Sequence, residues 1–236
     1  MERLDKVLSS LGNWSRREVK ELVRQGRVSV NDVCAASADM KIDPATAQLV
    51  VDGQPVSYEQ FTYLMLHKPA GVLSAVEDRR QKTVLDLLPE PLRRRGLSPV
   101  GRLDKDTEGL LILTNDGELT HKLISPKYHV DKVYYARVEG CLEQADCAAF
   151  AAGMTLGDGL ECMPAGLEIL SPNEALVTLQ EGKFHQVKRM LAACGKPVTY
   201  LKRLSMGPVQ LDENLALGEF RPLTPQELES LRRVCG

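Results

Sequence analysis

Three carboxylates, Asp104, Asp106 and Glu108, alternate along one polar turn inside the stretch 100–119. The apolar run Leu110–Leu113 follows and is closed by Asn115-Asp116-Gly117, the pattern of a buried strand ending in a tight turn. A carboxylate held at the mouth of a buried strand is a candidate for chemistry. Asp104-x-Asp106-x-Glu108-Gly109 imitates the start of a calcium loop, but the twelfth position, which needs a bidentate Glu, is Asn115. Magnesium would need substrate phosphates to complete its octahedron, and the chain has no glycine-rich Walker loop. Paired carboxyls about 5 Å apart would suit a retaining glycosidase, a use that Lys105 between them fits poorly. The spacing leaves a turn-capping role and a chemical role both open. No metal site is expected.

The elements around this loop decide what can reach it. Leu64-Met65-Leu66 forms a strand before the breaker-rich turn His67-Lys68-Pro69-Ala70-Gly71, and Thr83 can cap a short helix through Leu88. Arg93-Arg94-Arg95-Gly96 has the composition of a basic loop. A helix over 118–124 precedes a Val- and Tyr-rich strand over 132–139, in which Tyr135 points away from the face of Tyr134. Helix 142–152 and strands 160–170 and 175–180 come next. In 184–194, Val187, Met190, Leu191 and Cys194 make a helical core stripe that leaves His185, Lys188 and Arg189 clear. Strands 198–204 and 208–211 precede a final helix capped by Thr224-Pro225-Gln226-Glu227. Strands outnumber helices without alternating strictly with them, which predicts an α+β body on a mixed, mainly antiparallel sheet.

The first 60 residues form a smaller body. Leu4, Val7, Leu8 and Leu11 lie at helical spacing, and Ser15-Arg16-Arg17-Glu18 is a capping box that opens a second helix. Strands follow at 28–30 and 49–51, and 54–60 has the composition of a linker. Residues 1–30 hold seven Lys or Arg against four Asp or Glu. Arg16, Arg17, Lys20, Arg24 and Arg27 crowd onto the second helix and its exit, as a solvated face or as a track for a phosphate backbone.

At 236 residues, 43% hydrophobic and 26% charged, the chain has the composition of an ordinary globular protein. It has no run of roughly 20 apolar residues and no apolar segment near its start of the kind a signal peptide needs, so the cytoplasm is the expected location. Six cysteines without a Cys-x-x-Cys pair argue against structural zinc and a disulfide framework. A net charge of −2 gives no global nucleic-acid signature.

Two resemblances carry the reading further. Arg3-Leu4-Asp5, Ser15-Arg16 and Gly26-x-Val28-x-Val30-Asn31 match in register the S4-type RNA-binding domain, over roughly residues 2–58. This implies RNA contacts from Arg3, Ser15, Arg16, Arg17, Lys20, Arg24 and Arg27. Gly101-Arg102-Leu103-Asp104-x-x-Thr107-x-Gly109-Leu110-Leu111-x-Leu113-Thr114-Asn115-Asp116-Gly117 resembles the catalytic motif of pseudouridine synthases of the small-subunit (16S) rRNA type, the RsuA family. Lys132-x-Tyr134 and Glu181-Gly182-x-Phe184-His185-Gln186-Val187-Lys188-Arg189-Met190 match further segments in order. The resemblance implies an S4-like domain over 1–58 and a catalytic domain over 59–236. Asp104 is then the catalytic aspartate, Tyr134 the residue that stacks on the target base, and Lys188 the basic partner. Asp104 has to be ionised for this role, which a cation beside it favours. Arg102, Thr107, His185, Gln186 and Arg189 are implied in substrate binding, with Arg102 filling the space left by a flipped base. Asp106 and Glu108 fall at variable positions and are assigned to the loop surface. The expected reaction is a redox-neutral isomerisation with no cofactor. The expected partner is ribosomal RNA within a ribosomal-subunit assembly intermediate, acted on by a monomer, with large-subunit (23S) rRNA as the alternative substrate. A non-catalytic RNA-binding assembly factor is the rival from another class.

Overall fold

A computed structural model describes residues 1–234; the expectation for Cys235 lies outside them. The chain divides into two compact units, one of 1–62 with 88–97, the other of 63–87 with 98 onward.

In the first unit, helices Leu4–Ser10 and Arg16–Arg24 bury Leu4, Val7, Leu8, Val19, Leu22 and Val23. The second helix starts at the predicted box: Glu18 N–H donates to Ser15 Oγ at 3.2 Å, and Ser15 N–H to Glu18 Oε2 at 2.6 Å. A four-stranded antiparallel sheet runs in the order Val33–Cys34, Val28–Val30, Leu49–Val51, Gln54–Val56. Val28, Val30, Leu49 and Val51 turn one face of it into the helical core. The last strand replaces the expected linker start. Asp52 and Gly53, at φ 53° and 73°, form a two-residue turn of the kind that closes a hairpin. Pro55 is tolerated because its strand lies at the sheet edge. Within 88–97, residues Glu90–Arg93 form a short helix that leads into the expected basic loop, where Arg94 pairs back with Glu90.

The second unit is built on a mixed sheet. Its hydrogen-bonded order is Gly166–Ser171, Glu174–Leu179, Lys132–Val138, Val198–Met206, Glu108–Thr114, Tyr63–Lys68, Phe220–Pro222. Neighbours along this order are antiparallel except Val198–Met206 and Glu108–Thr114, which run parallel through Lys202↔Glu108 and Arg203↔Gly109. The fold is α+β with a mostly antiparallel sheet. At the parallel junction the backbones approach closely. A Cβ on Gly109 would sit 2.2 Å from the Arg203 carbonyl oxygen, and Gly109 has φ +108°, so no other residue type fits there unstrained.

Helix Gly117–Ile124 is capped by Asp116, whose Oδ1 accepts the Leu119 N–H at 3.0 Å. With the final helix Pro225–Val234 it contributes to a core of Met65, Leu110, Ile112, Leu119, Leu123 and Leu231. Two expected elements are shorter than predicted. After Thr83 only a 3-10 turn forms, Leu85–Leu87, because Asp86 accepts both the N–H and the hydroxyl of Thr83. The run 160–170 is interrupted around Pro164 into Glu161–Cys162 and Gly166–Ser171. No helix among the described residues is long and apolar enough to cross a membrane.

Candidate active site

Asp104 sits in the turn that feeds the strand Glu108–Thr114, and the turn is fixed from below by a residue the motifs did not single out. Lys68 is fully buried at the end of the strand Tyr63–Lys68. Its Nζ donates to the carbonyls of Asp104 at 3.0 Å, Lys105 at 3.3 Å, Thr107 at 2.8 Å and Pro69 at 3.1 Å. Burial pushes its ammonium down to about 8, against the pull of Asp104, Asp106 and Glu108 toward the charged form. Ser74 holds the other side, donating to the Leu103 carbonyl at 2.8 Å and accepting the Leu103 N–H at 3.1 Å. The sequence signal for Lys68 is a charged residue closing an otherwise apolar strand just before a proline.

The Asp104 side chain, 23% exposed, meets two groups from the 181–189 segment. Lys188 Nζ lies 3.1 Å from Asp104 Oδ2, and His185 Nε2 lies 3.6 Å from Asp104 Oδ1. Lys188 also reaches Asp106 Oδ1 at 2.5 Å. Burial lowers the Lys188 ammonium, but the hydrogen bonds to Asp106 and Asp104 outweigh it and leave the group raised. Lys188 in turn holds Asp106 below the usual carboxylate range. Asp106 lies exposed on the loop, as expected, and there shares the lysine with Asp104. The assignment of Glu108 to the loop surface is corrected: it opens the strand Glu108–Thr114, half-buried, and its Oε2 accepts the Tyr200 hydroxyl at 2.7 Å.

The helix Gln186–Ala193 presents Lys188 because Val187, Met190 and Leu191 bury the opposite stripe. Its entry is set by Gln186, which is buried. Gln186 Nε2 donates to Glu181 Oε1 at 2.6 Å, and its Oε1 accepts the Lys183 N–H at 3.0 Å. His185 before it adopts a left-handed conformation at φ 51°. Arg189 is tied to Asp158.

Arg102, Asp104, Thr107, Tyr134, His185 and Gln186 line one small cleft. Tyr134 is buried, on the sheet face it shares with Lys132 and Ala136. Tyr135 lies on the other face, its hydroxyl donating to Glu174. Thr107 is buried and its hydroxyl has no hydrogen-bond partner among the described residues. Arg102 is exposed, with no ion-pair partner among the described residues. One half of the cleft thus comes from the 102–107 turn and the other from the 181–189 segment.

These motif residues converge on one carboxylate. A family described as RNA pseudouridylate synthase matches residues 62–193, and the S4 domain family matches 2–46. The chain belongs to the RNA pseudouridine synthase family. An RNA pseudouridine synthase of Bacillus subtilis described as uncharacterized, YtzG, is 48% identical over 97% of this chain and 98% of its own length. The ribosomal small subunit pseudouridine synthase A of Salmonella typhimurium is 38% identical over 97% of this chain and 99% of its own. A crystal structure of a pseudouridylate synthase superposes with a TM-score of 0.69 at 36% identity, covering 98% of this chain and all of that one. The protein is therefore an isomerase that forms pseudouridine in RNA, with an S4 RNA-binding domain at its N-terminal end.

In that domain the predicted RNA-facing residues fall into two groups. Arg3, Arg24 and Arg27 each hold a carboxylate: Asp5 at 2.9 Å, Glu21 at 2.7 Å and Asp52 at 2.5 Å. Ser15 is engaged in the helix cap. Arg16, Arg17 and Lys20 are exposed and have no ion-pair partner among the described residues. Arg3, Lys20 and Arg24 also border a groove of about 480 Å³ beside residues 36–39.

Proposed function

We propose that this pseudouridine synthase isomerises one uridine of small-subunit ribosomal RNA, within a ribosomal-subunit assembly intermediate, with Asp104 as the reacting carboxylate. The observation that carries the assignment to Asp104 is its ion pair with Lys188 at the cleft. The ammonium sits against one carboxylate oxygen, at the side of the cleft where the ribose would enter. The choice of small-subunit RNA rests on similarity to small-subunit synthases along essentially the whole chain.

The flipped uridine enters the cleft with its base against Tyr134. The N1–C1′ bond breaks while Asp104 either bonds to the sugar or stabilises the positive charge growing there. The freed uracil turns, and C5 joins C1′. C5 loses a proton and N1 carries one, so atoms balance and no electrons are exchanged. Arg102, unpaired and exposed, occupies the place the base left. The unpartnered hydroxyl of Thr107 supplies a hydrogen bond to the nucleotide, and His185 assists from the other side of Asp104. Gln186 acts indirectly, by holding the 181–186 turn.

Asp104→Asn preserves shape and leaves Asp106 to hold Lys188. It is expected to abolish pseudouridine formation while RNA affinity stays nearly unchanged; normal turnover in this variant would overturn the assignment. Mapping pseudouridines in rRNA from cells lacking the protein fixes the substrate. Loss from 23S instead of 16S rRNA would replace the small-subunit assignment.

A further inference from the structure

Phe184 stands out against the economy of the site. The residue is 74% exposed, although it belongs to a segment whose neighbours are clamped in place. One face is covered by the His185 imidazole, with centroids 3.8 Å apart and planes 19° from parallel. The other face has no aromatic partner among the described residues.

The pair is held rigidly. Glu181 is 3% exposed and accepts from Gln186 Nε2, from the Met163 N–H at 2.9 Å and from the Lys183 ammonium at 3.1 Å. His185 takes a left-handed conformation that costs about 1 kcal/mol for a residue with a side chain. That geometry turns His185 Nε2 toward Asp104 and stacks its ring on Phe184. A loop filling space would have no need of such a clamp.

The surroundings indicate what covers the free face. Arg102 is exposed and unpaired, and the exposed Lys105 donates to Gln81, a neutral group, at 2.8 Å. Arg102 lines the cleft together with Lys183 and His185, which flank Phe184 in the chain; uncompensated cations on the 102–107 turn suit a polyanion that carries π-faces of its own. An apolar protein surface would have to bury those cations.

We propose that Phe184 is a stacking platform for the unpaired nucleobase next to the target uridine, a contact that rests on the reading that the uridine is flipped toward Asp104. Extruding one nucleotide strips its neighbour of a stacking partner, and the Phe184 face replaces it. Every base has a π-face, so the contact selects for an unpaired neighbour and tolerates its identity.

The test compares Phe184→Trp, which keeps an aromatic face, with Phe184→Leu, which keeps apolar area without one, in the full chain carrying Trp14→Phe. The probes are a single-stranded RNA of mixed sequence, the duplex of that sequence, and rRNA transcripts. Phe184→Leu is expected to weaken single-strand binding by about 5-fold or more, the loss of one base–aromatic stack. On a transcript that the parent modifies, it should raise KM and leave kcat nearly intact. Phe184→Trp should bind like the parent, with the emission of the introduced indole quenched by the single strand and not by the duplex. Parental affinity in Phe184→Leu, quenching by the duplex, or a fall in kcat at unchanged KM would each overturn the proposal. The binding and emission measurements decide it even if the parent modifies no free transcript; the rRNA substrate is tested separately, by mapping pseudouridines in cells lacking the protein.

Discussion

The ammonium of Lys68 lies 3.0 Å from the backbone carbonyl oxygen of Asp104, whose carboxylate meets Lys188 at 3.1 Å. Asp104 is thus held by one buried cation through its backbone and balanced by another through its side chain. Replacing Lys68 by Met should cost activity by misplacing the loop, about 100-fold if Asp104 shifts by 1 Å. Kinetics on rRNA with the fold checked by circular dichroism would measure it, and unchanged kcat would remove Lys68 from the positioning role.

The same lysine gives a pH dependence of defined sign. Its ammonium titrates at about 8 when folded and at the ordinary 10.5 when unfolded. Between these values the unfolded chain holds the extra proton, so this group's contribution to stability rises as pH increases from 8 to 10.5. Activity should move the other way, falling through pH 8 as the neutral amine gives up its hold on the loop carbonyls. A pH–rate profile beside a pH series of denaturant midpoints checks both directions, and activity that is flat to pH 9 would exclude this role.

Asp106 shares Lys188 with Asp104 but stands 75% exposed. An ion pair so open to water is worth about 0.2–1 kcal/mol, so Asp106→Asn should change kcat by no more than about 5-fold. Lys188→Met removes the cation from both carboxylates and should cost far more. Steady-state kinetics of the two variants would separate them, and a larger loss from Asp106→Asn would make Asp106 the better candidate for the chemistry.

On the S4 domain, the ion pairs divide the basic residues. Arg16, Arg17 and Lys20 are free to release counterions from a phosphate backbone, whereas Arg24 and Arg27 must first give up Glu21 and Asp52. Changing the first three to Ala together should reduce the slope of log affinity against log salt by about 2–3. Changing Arg24 and Arg27 should reduce it less. Equal effects from both sets would mean that the internal pairs open on binding.

Much of the site was legible because the carriers of chemistry lie in compact runs. The 100–117 stretch contains Asp104 and its strand, and the 181–190 stretch contains Lys188 with a helical stripe that fixes which way it points. Lys68 stayed hidden because its partners are carbonyl groups, which every residue type supplies, so no side-chain pattern marks them. The pairing of Asp106 was hidden for a related reason: its motif position is variable, and its partner Lys188 approaches from 82 residues away. The edge strand Gln54–Val56 escaped detection because an edge position tolerates proline and polar residues, which are also the marks of a linker.

The one parallel pairing in the sheet has a consequence for how the enzyme comes into being. The strand that follows the Asp104 turn is completed on one side by Val198–Met206, which leaves the ribosome about 90 residues later and also zips against Lys132–Val138. Long-range pairing of this kind closes late, after the loop entropy of the intervening chain has been overcome. A growing chain therefore displays its S4 domain well before it owns a finished Asp104 turn, and RNA can be gripped before that turn is complete. Pulse-labelled hydrogen exchange during refolding should show amides 111–114, which pair with Tyr63–Leu66, becoming protected before those of 201–204; simultaneous protection would contradict this order.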